Sequence, residues 1–330
     1  MKMSSLIRGI MALCICLSHA PTVFAQAGST SALYPTKLIR VLVGFPAGGP
    51  ADAIARIIGQ KMTEIGGHQV IIENRAGAAS MLAGEFVARA APDGHTLWFA
   101  GSILSTAKFL YVKPLVDPER DIAPVTHAVS VVQIMVIHPS LPVVNMRELA
   151  QLAKSRPDQI NASVLALGGT LHLAMELFKQ AADVRLTNVG YKGAADALRD
   201  LVGGHVQVAF FDVPAVIGLL PSGRVRPLAV TGAQRVPQVP AVPTTTEAGF
   251  PTVRSEGWYA FVAPVATPAD TISRAHQLVT AALRAPDTRE RLNNIAATPV
   301  GNTPDELRVF WRAESRKWGD LIKSIGLKPE

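Results

Sequence analysis

The chain has 330 residues, 48% of them hydrophobic, and its 32 Lys and Arg against 25 Asp and Glu leave a formal charge of +7 at pH 7. The basic residues are scattered among acids rather than gathered into a block with interleaved aromatics, which argues against a nucleic-acid partner. Mild positive charge does attract small anions, a carboxylate among them, without selecting one.

At the start of the chain Lys2 and Arg8 lead into the apolar "GIMALCICL", and small residues follow up to Ala25. This pattern predicts a secretory signal peptide over residues 1–25, cut after Ala25, and hence a periplasmic protein. A membrane anchor is the alternative, but the apolar core is shorter than the roughly 20 residues a span needs. The sole cysteines, Cys14 and Cys16, follow Leu or Ile where a lipoprotein site wants a small residue, so both leave with the signal. Its removal lowers the charge from +7 to +5 and leaves about 305 residues without cysteine, hence without disulfide or thiolate metal site. At roughly 100 to 200 residues per domain, that length predicts two domains.

The first element after the signal is "IRVLVGFPAGGPADAIAR", residues 39 to 56, in which an apolar strand breaks into a Gly/Pro turn and continues as an amphipathic helix. Such a corner leaves the first helical N–H groups unpaired, and glycines let a ligand approach them, which suits an anion. It is not a P-loop, for no Gly-Lys-Ser/Thr follows, and the spacing is not that of a dinucleotide fingerprint. Further along, "QVIIEN", "TLWFA", "INASVLA", "RLTNVGY", "VQVAFFD" and "VRPLAVTG" read as strands, alternating with the helices "MLAGEFVARAA", "TLHLAMELFKQAA" and "AADALRDLVGG". This alternation predicts an α/β fold with a parallel sheet. Two runs without a helix of their own, "SVVQIMVIHP" and "GWYAFVAPV", divide the chain into thirds and are candidate crossings between two lobes. The Pro- and Thr-rich "RVPQVPAVPTTTEAGFP" reads as an ordered surface loop, and the C-terminal part is helical, with "TPAD" and "TPDE" as helix starts.

A second corner, "SVLALGGTLHLAMELF", repeats the plan of strand, glycine pair and helix, with Gly168, Gly169 and Thr170 at the helix start. Two helix N-termini facing across a cleft can grip two ends of one anion. Asp212 ends the strand "VQVAFF", where it either caps the next helix or meets a ligand amine or water. Glu256 and Trp258 either line the cleft or pack the hinge. Catalytic patterns are thin: "STAK" at 105–108 lacks the companion motifs of penicillin-binding enzymes and reads as a helix start. His172 and Glu176 lie four apart on one helical face, where they can hydrogen-bond or share a metal; a plain surface or half-buried pair is the stronger reading, since two ligands close no metal site. His68, His95, His127, His138 and His205 are isolated, and there is no H-E-x-x-H motif or G-x-S-x-G elbow.

From Tyr34 onward the segments resemble the tripartite tricarboxylate transporter receptors, the Bug family of periplasmic solute-binding proteins. The resemblance is carried by "FPAGG" at 45–49, "ENRAGAASMLAGEFVARAAPDGHTL" at 73–97, "HLAMELFK" at 172–179, "YKGAADALRDLVGGHVQVAFFD" at 191–212, "GRVRPLAVTGAQRVPQVPAVPTTTEAGFP" at 223–251 and "WYAFVAPVATPAD" at 258–270. It implies a two-lobed type II periplasmic-binding fold with its ligand cleft between lobes: lobe 1 from residues 26–126 and 252–330, lobe 2 from 127–251. It further implies a carboxylate held by backbone amides and water in the loops at 45–52 and 167–171. The candidate ligand-binding residues are Phe45, Ala47, Gly48, Gly49, Ala51, Asp52, Gly168, Gly169, Thr170 and Asp212, with no catalytic group, metal or cofactor. Partners implied are a small organic acid and either the membrane permease subunits of such a transporter or a sensor kinase, the receptor itself being a monomer.

Two departures from the family pattern bear on the ligand. Pro50 stands where Ser or Thr usually follows the glycine pair, so an N–H and a hydroxyl are missing. Leu165 and Leu167 stand in or beside the second corner, where a Ser/Gly/Asn-rich stretch is common. Both departures favour a carboxylate on a relatively apolar or aromatic body over citrate; alternatively, both leucines point into the core.

Overall fold

The computed structural model describes residues 34–329 apart from residue 166. The expected signal peptide, with Cys14 and Cys16, lies outside these described residues. The apolar run from Ile39 forms strand β1 (Ile39–Val43), which pairs in parallel with β2 (Val70–Asn74) and β3 (Thr96–Ala100). Helix α1 (Pro50–Gly66) connects the first two strands. Its Ile54, Ile57, Ile58 and Met62 recur at helical spacing and are buried in one core with Val41, Phe99 and Phe261. The left-handed Gly67 closes it, donating its N–H to the Thr63 carbonyl at 3.0 Å. Helices α2 (Met81–Ala88) and α3 (Ile103–Leu110) follow, the latter absorbing "STAK" as helical residues.

Strand β4 (Ile122–Ile137) is much longer than the crossing run read from the sequence, and it joins the two halves of the sheet. Its residues Ile122–Val132 pair with β9 (Glu256–Pro264), whereas Gln133–Ile137 pair with β7 (Val208–Asp212). Beyond β7 lie β5 (Asn161–Leu165) and β6 (Thr187–Tyr191), again parallel, while β8 (Arg226–Val230) pairs with β4. The expectation of a parallel sheet therefore holds in each outer trio and fails at the centre, where β3–β9, β4–β9, β4–β7 and β4–β8 are all antiparallel. A chain that crosses between lobes and returns must run one strand against its neighbours, which produces this pattern. Separate apolar cores flank the two halves of the sheet, which makes the molecule a two-lobed α/β fold.

Helices α4 (Pro118–Asp121) and α5 (Met146–Ser155) and the short β10 (Ala297–Pro299) were not expected from the sequence. Helices α6 (Thr170–Ala182), α7 (Ala194–Val202) and the four-residue α8 (Val213–Val216) belong to the second lobe, while α9 (Ala269–Arg284), α10 (Pro286–Asn294) and α11 (Pro304–Ser324) close the chain. Thr303 caps α11 through a full capping box with Glu306, as "TPDE" predicts, but Thr267 of "TPAD" does not cap α9 and its buried hydroxyl has no partner. Among the described residues no helix is long and apolar enough to cross a membrane.

Candidate functional site

The loop after β1 is shaped by close packing. A Cβ on Gly44 would lie 1.8 Å from Ser80 Oγ and 2.6 Å from Ser80 Cα, so only glycine lets the chain pass that backbone. Phe45 follows, half-buried, its carbonyl accepting from Asn74 Nδ2 at 3.1 Å and its ring meeting Tyr259 edge-on at 5.9 Å. Ala47 and Gly48 are exposed at the tip, and Gly48 adopts a left-handed φ of 79°. Its N–H donates to Asp52 Oδ2 at 3.0 Å, and Asp52 Oδ1 lies 2.9 Å from an Arg56 nitrogen. Burial alone would raise the Asp52 carboxyl, but Arg56, the Gly48 N–H and Asn74 outweigh it and hold it below the usual carboxylate range. In this arrangement Asp52 fastens the loop and engages one of its donors. Gly49 is the extended N-cap of α1, and Pro50 fills the first helical position, leaving the N–H groups of Ala51 and Asp52 as first-turn donors.

The loop after β5 is fastened in a similar way. Gly168, at φ 73°, donates its N–H to His172 Nδ1 at 2.9 Å, so the proton on the imidazole is at Nε2, 3.4 Å from Glu176 Oε1. Burial would raise Glu176, yet His172, Asn188 at 3.0 Å and Lys179 at 2.8 Å hold it down at about 2. The His172–Glu176 pair is thus a brace for the corner. Gly169 is the extended N-cap of α6, and Thr170 opens the helix. Gly168 sits against the first lobe, where a Cβ would fall 2.2 Å from Leu110 Cδ2. Of the two leucines, Leu165 is buried in the lobe core and only Leu167, 46% exposed, stands free in the corner. Alternation along β5 turns Leu165 inward.

Between the corners lies a polar floor built from both crossing strands. Gln133 of β4 donates from Nε2 to Thr170 Oγ1 at 2.8 Å, and Ser255 Oγ donates to the Thr170 carbonyl at 3.4 Å. Thr231 ties these together, donating to the Ser255 carbonyl and accepting from the Gln133 N–H. Asp212 stands directly opposite Gln133 in the β4–β7 register, and its Oδ2 accepts from the Tyr259 hydroxyl at 3.3 Å. Burial pushes the Asp212 carboxyl up to about 7, while Tyr259 and Gln133 pull it partly back. Asp212 is also the N-cap residue of α8, without a side-chain bond to it.

The structure therefore brings Phe45, Asp212 and Thr170 into one run of contacts through Tyr259 and Gln133. It places Ala47, Gly48 and Gly49 at the first corner's tip, Ala51 and Asp52 beneath it, and Gly168 and Gly169 at the second corner. Sequence reasoning passed over Gln133, Thr231, Ser255 and Tyr259. Their signal was present in part: Gln133 is the lone polar side chain within "VVQIMVI", a run already singled out as a crossing. Trp258 packs against His127 and Phe310 on the other side of β9, and Glu256 lines a crevice with Ser130, Arg254 and Lys317 that Thr231 and Ser255 of the floor also line. Among the described residues, no three His, Cys, Asp or Glu side chains gather as a metal site.

Comparison with known proteins adds independent information. The sequence pattern of the tripartite tricarboxylate transporter family receptor matches residues 54–327. BugT of Bordetella pertussis is 32% identical over 297 residues, covering 89% of this chain and 91% of that protein. Among solved structures, R. palustris Rpa4515 with adipate superposes with a TM-score of 0.86 at 34% identity, over 90% of this chain and 100% of that one. MatC from Rhodopseudomonas palustris with bound malate superposes with a TM-score of 0.81 at 30% identity, over 88% and 100% respectively.

Proposed function

Because the chain belongs to the tripartite tricarboxylate transporter receptor family, we propose that it is a periplasmic solute-binding protein that captures a small organic carboxylate between its lobes and presents it to the membrane subunits of such a transporter. The observation that carries this reading is the run from Phe45 through Tyr259, Asp212 and Gln133 to Thr170, which joins two helix N-termini to one buried floor. Helix N-termini favour anions, and two of them on a shared floor suit a molecule with a carboxylate at one or both ends. Adipate and malate in the similar structures are such molecules.

The proposed lobes are residues 26–126 with 252–330, and residues 127–251, the protein acting as a monomer after loss of its signal peptide. The change of partner along β4 between Val132 and Gln133 supports a pivot there. Exposed Leu167 and the ring of Phe45 favour a ligand with a relatively apolar, even aromatic, body. The role is binding rather than catalysis. His127, which contacts Ser130 Oγ at 3.2 Å, is packed between rings and lowered by burial to about 4, unsuited to act as a base on an exposed substrate. A sensor kinase as partner would use the same pocket, and neighbouring permease genes distinguish the two.

A thermal-shift screen of mono- and dicarboxylates, amino acids and aromatic acids tests the reading. A ligand binding only the folded state at a hundredfold excess over Kd adds roughly 2.7 kcal/mol. A rise in Tm with at least one carboxylate is expected; a rise with neutral sugars alone would overturn the proposal.

A further inference from the structure

The Pro-rich run after β8 is built as a stiff unit. Val236 and Val242 are buried in the core of the second half of the sheet, with Ile134, Phe211 and Val230. Between them Val239 and Val242 donate their N–H groups to the carbonyls of Val236 and Val239 at 2.9 and 3.0 Å, and Pro237, Pro240 and Pro243 fix φ along the way. Arg235 donates to the Pro240 carbonyl at 3.0 Å and pairs with Glu247 at 2.9 Å, while Glu247 accepts from the Thr244 N–H at 2.7 Å. These internal bonds leave the segment little room to stretch.

The segment reaches the other half of the molecule. The carbonyl of Asn293, in the last turn of α10, has no helical N–H beyond it; it accepts from the Ala296 N–H at 2.8 Å, and Gln238 Nε2 supplies a second donor. The next residues then diverge. Leu292, Ile295 and Ala297 pack in the first core, with Ile54 of α1 and Leu278 of α9, whereas Ala296 is buried in the second core, with Val236 and Val242. Ala296 adopts a left-handed φ of 56°, unfavourable for a residue with a Cβ, which turns it away from its neighbours.

This bridge crosses the point where β4 changes partner. β8, from which the segment leaves, pairs with Ile134–Ile137, and β10, directly after Ala296, pairs with Val129–Val131. Val132 lies between, packed against the second core, and a Cβ on Gly232 would come 3.1 Å from Val132 Cγ2, so the chain leaving β8 is pressed onto the pivot. The proposed lobes also meet at the corners in this conformation: a Cβ on Gly168 would fall 2.2 Å from Leu110 Cδ2, and one on Gly193 would fall 3.6 Å from Pro46 Cγ.

We infer that residues 235–243 are a stay across the pivot, which through Gln238 and Ala296 holds the lobes in the arrangement that sets the two corners face to face, and so strengthens ligand binding without touching the ligand. The inference rests on the proposed lobes and on the carboxylate reading. Rotation at the pivot has to break the bond from Gln238 to Asn293 or draw Ala296 out of the second core. A contact present in open and closed protein alike cancels from the dissociation constant, whereas one lost on opening weakens binding as the closed fraction falls.

The first test needs no ligand. A chain starting at residue 26 carries no cysteine, so Gln238→Cys with Asn293→Cys can be joined by a short thiol crosslinker. In small-angle scattering the linked protein should keep the radius of gyration of this structure, and Gln238→Glu, which offers the carbonyl an acceptor in place of a donor, should be larger. Equal radii for the two would overturn the inference. The second test is calorimetry with adipate and with malate. Gln238→Glu should weaken whichever acid binds by about threefold to tenfold, the effect of one lost hydrogen bond, and by the same factor for both if both bind. Gln238→Lys, which keeps a donor at the helix end, should retain the wild-type affinity. A role in folding alone would lower the Tm of Gln238→Glu and leave its affinity unchanged, which would overturn the inference while the carboxylate reading stands. Failure of both acids to bind would count against the carboxylate reading, the scattering comparison then deciding on the stay.

Discussion

The Tyr259 hydroxyl donates to Asp212 Oδ2 at 3.3 Å, tying β9 to the end of β7 across the junction of the two lobes. Asp212 is raised by burial to about 7, above its ordinary value of 3.8, so the folded state holds a proton that the unfolded state has already lost. The associated stability is fully present below about pH 4 and is lost as pH rises through about 7. Between pH 5 and pH 8 this single group should lower the unfolding free energy by roughly 2–3 kcal/mol. Urea titrations of the wild type and Asp212→Asn should therefore converge in acid and diverge above neutrality, with the Asn variant the more stable at pH 8. Parallel pH profiles would show that Asp212 is ionised throughout.

Glu176 gives the opposite sign. It is held down at about 2 by His172, Asn188 and Lys179 against the effect of its burial, so its contribution is present above about 4.5 and is lost as pH falls towards 2. Glu176→Gln should cost about 2 kcal/mol at neutral pH, a figure reduced for partial solvent contact, and should flatten the acid limb of the stability profile. Because His172 is oriented by Glu176 and in turn accepts from the Gly168 N–H, the same variant should speed hydrogen exchange at the Gly168 amide. A stable variant with unchanged exchange there would separate the brace from the corner.

Gly44 and Gly48 are required for different reasons, and alanine distinguishes them. At Gly44 a Cβ would strike the backbone of Ser80, so Gly44→Ala should displace the α2 segment and cost about 3 kcal/mol or more. At Gly48 nothing lies within 4 Å of a Cβ, and only the positive φ opposes alanine, a cost of about 1 kcal/mol. Chemical denaturation of both variants checks the order; a larger loss at Gly48 would contradict it.

Local pattern made much of the fold legible. The strand at Thr96–Ala100 and the helix at Thr170–Ala182 coincide with the segments read from alternation and helical spacing. The helix at Met146–Ser155 was overlooked although Asn145 and Glu148 form its start, the Asn145 side chain accepting from the Glu148 N–H at 2.9 Å; its four buried residues are too few to stand out beside Pro-rich flanks. The antiparallel centre of the sheet was not legible at all, because pairing direction depends on residues more than a hundred positions apart, such as Ser130 and Trp258. The same separation hid the floor. Asp212 could be placed at a strand end, but its meeting with Tyr259 is a product of the crossing.

Pro50 is the residue from which ligand preference is most directly testable. It occupies the first helical position of α1, where its fixed φ suits the helix and its missing N–H leaves the corner one donor short. Less apolar surface reaches the second corner than the sequence suggested, since Leu165 is buried and, of the two leucines, only Leu167 remains exposed there. A polar group of the ligand left without a partner costs about 1–3 kcal/mol, so citrate, with three carboxylates and a hydroxyl, should be disfavoured relative to an aromatic monocarboxylate such as benzoate or nicotinate. Pro50→Ser restores an N–H and a hydroxyl at a helix start, where serine is readily accommodated, and should leave stability within about 1 kcal/mol of the wild type. Calorimetry should then show the ratio of citrate to aromatic-acid affinity rising by about tenfold in the variant, the effect of one recovered hydrogen bond. Tighter citrate binding already in the wild type, with no change on substitution, would mean that the anion is held by Ala51, Asp52 and the second corner without reference to position 50.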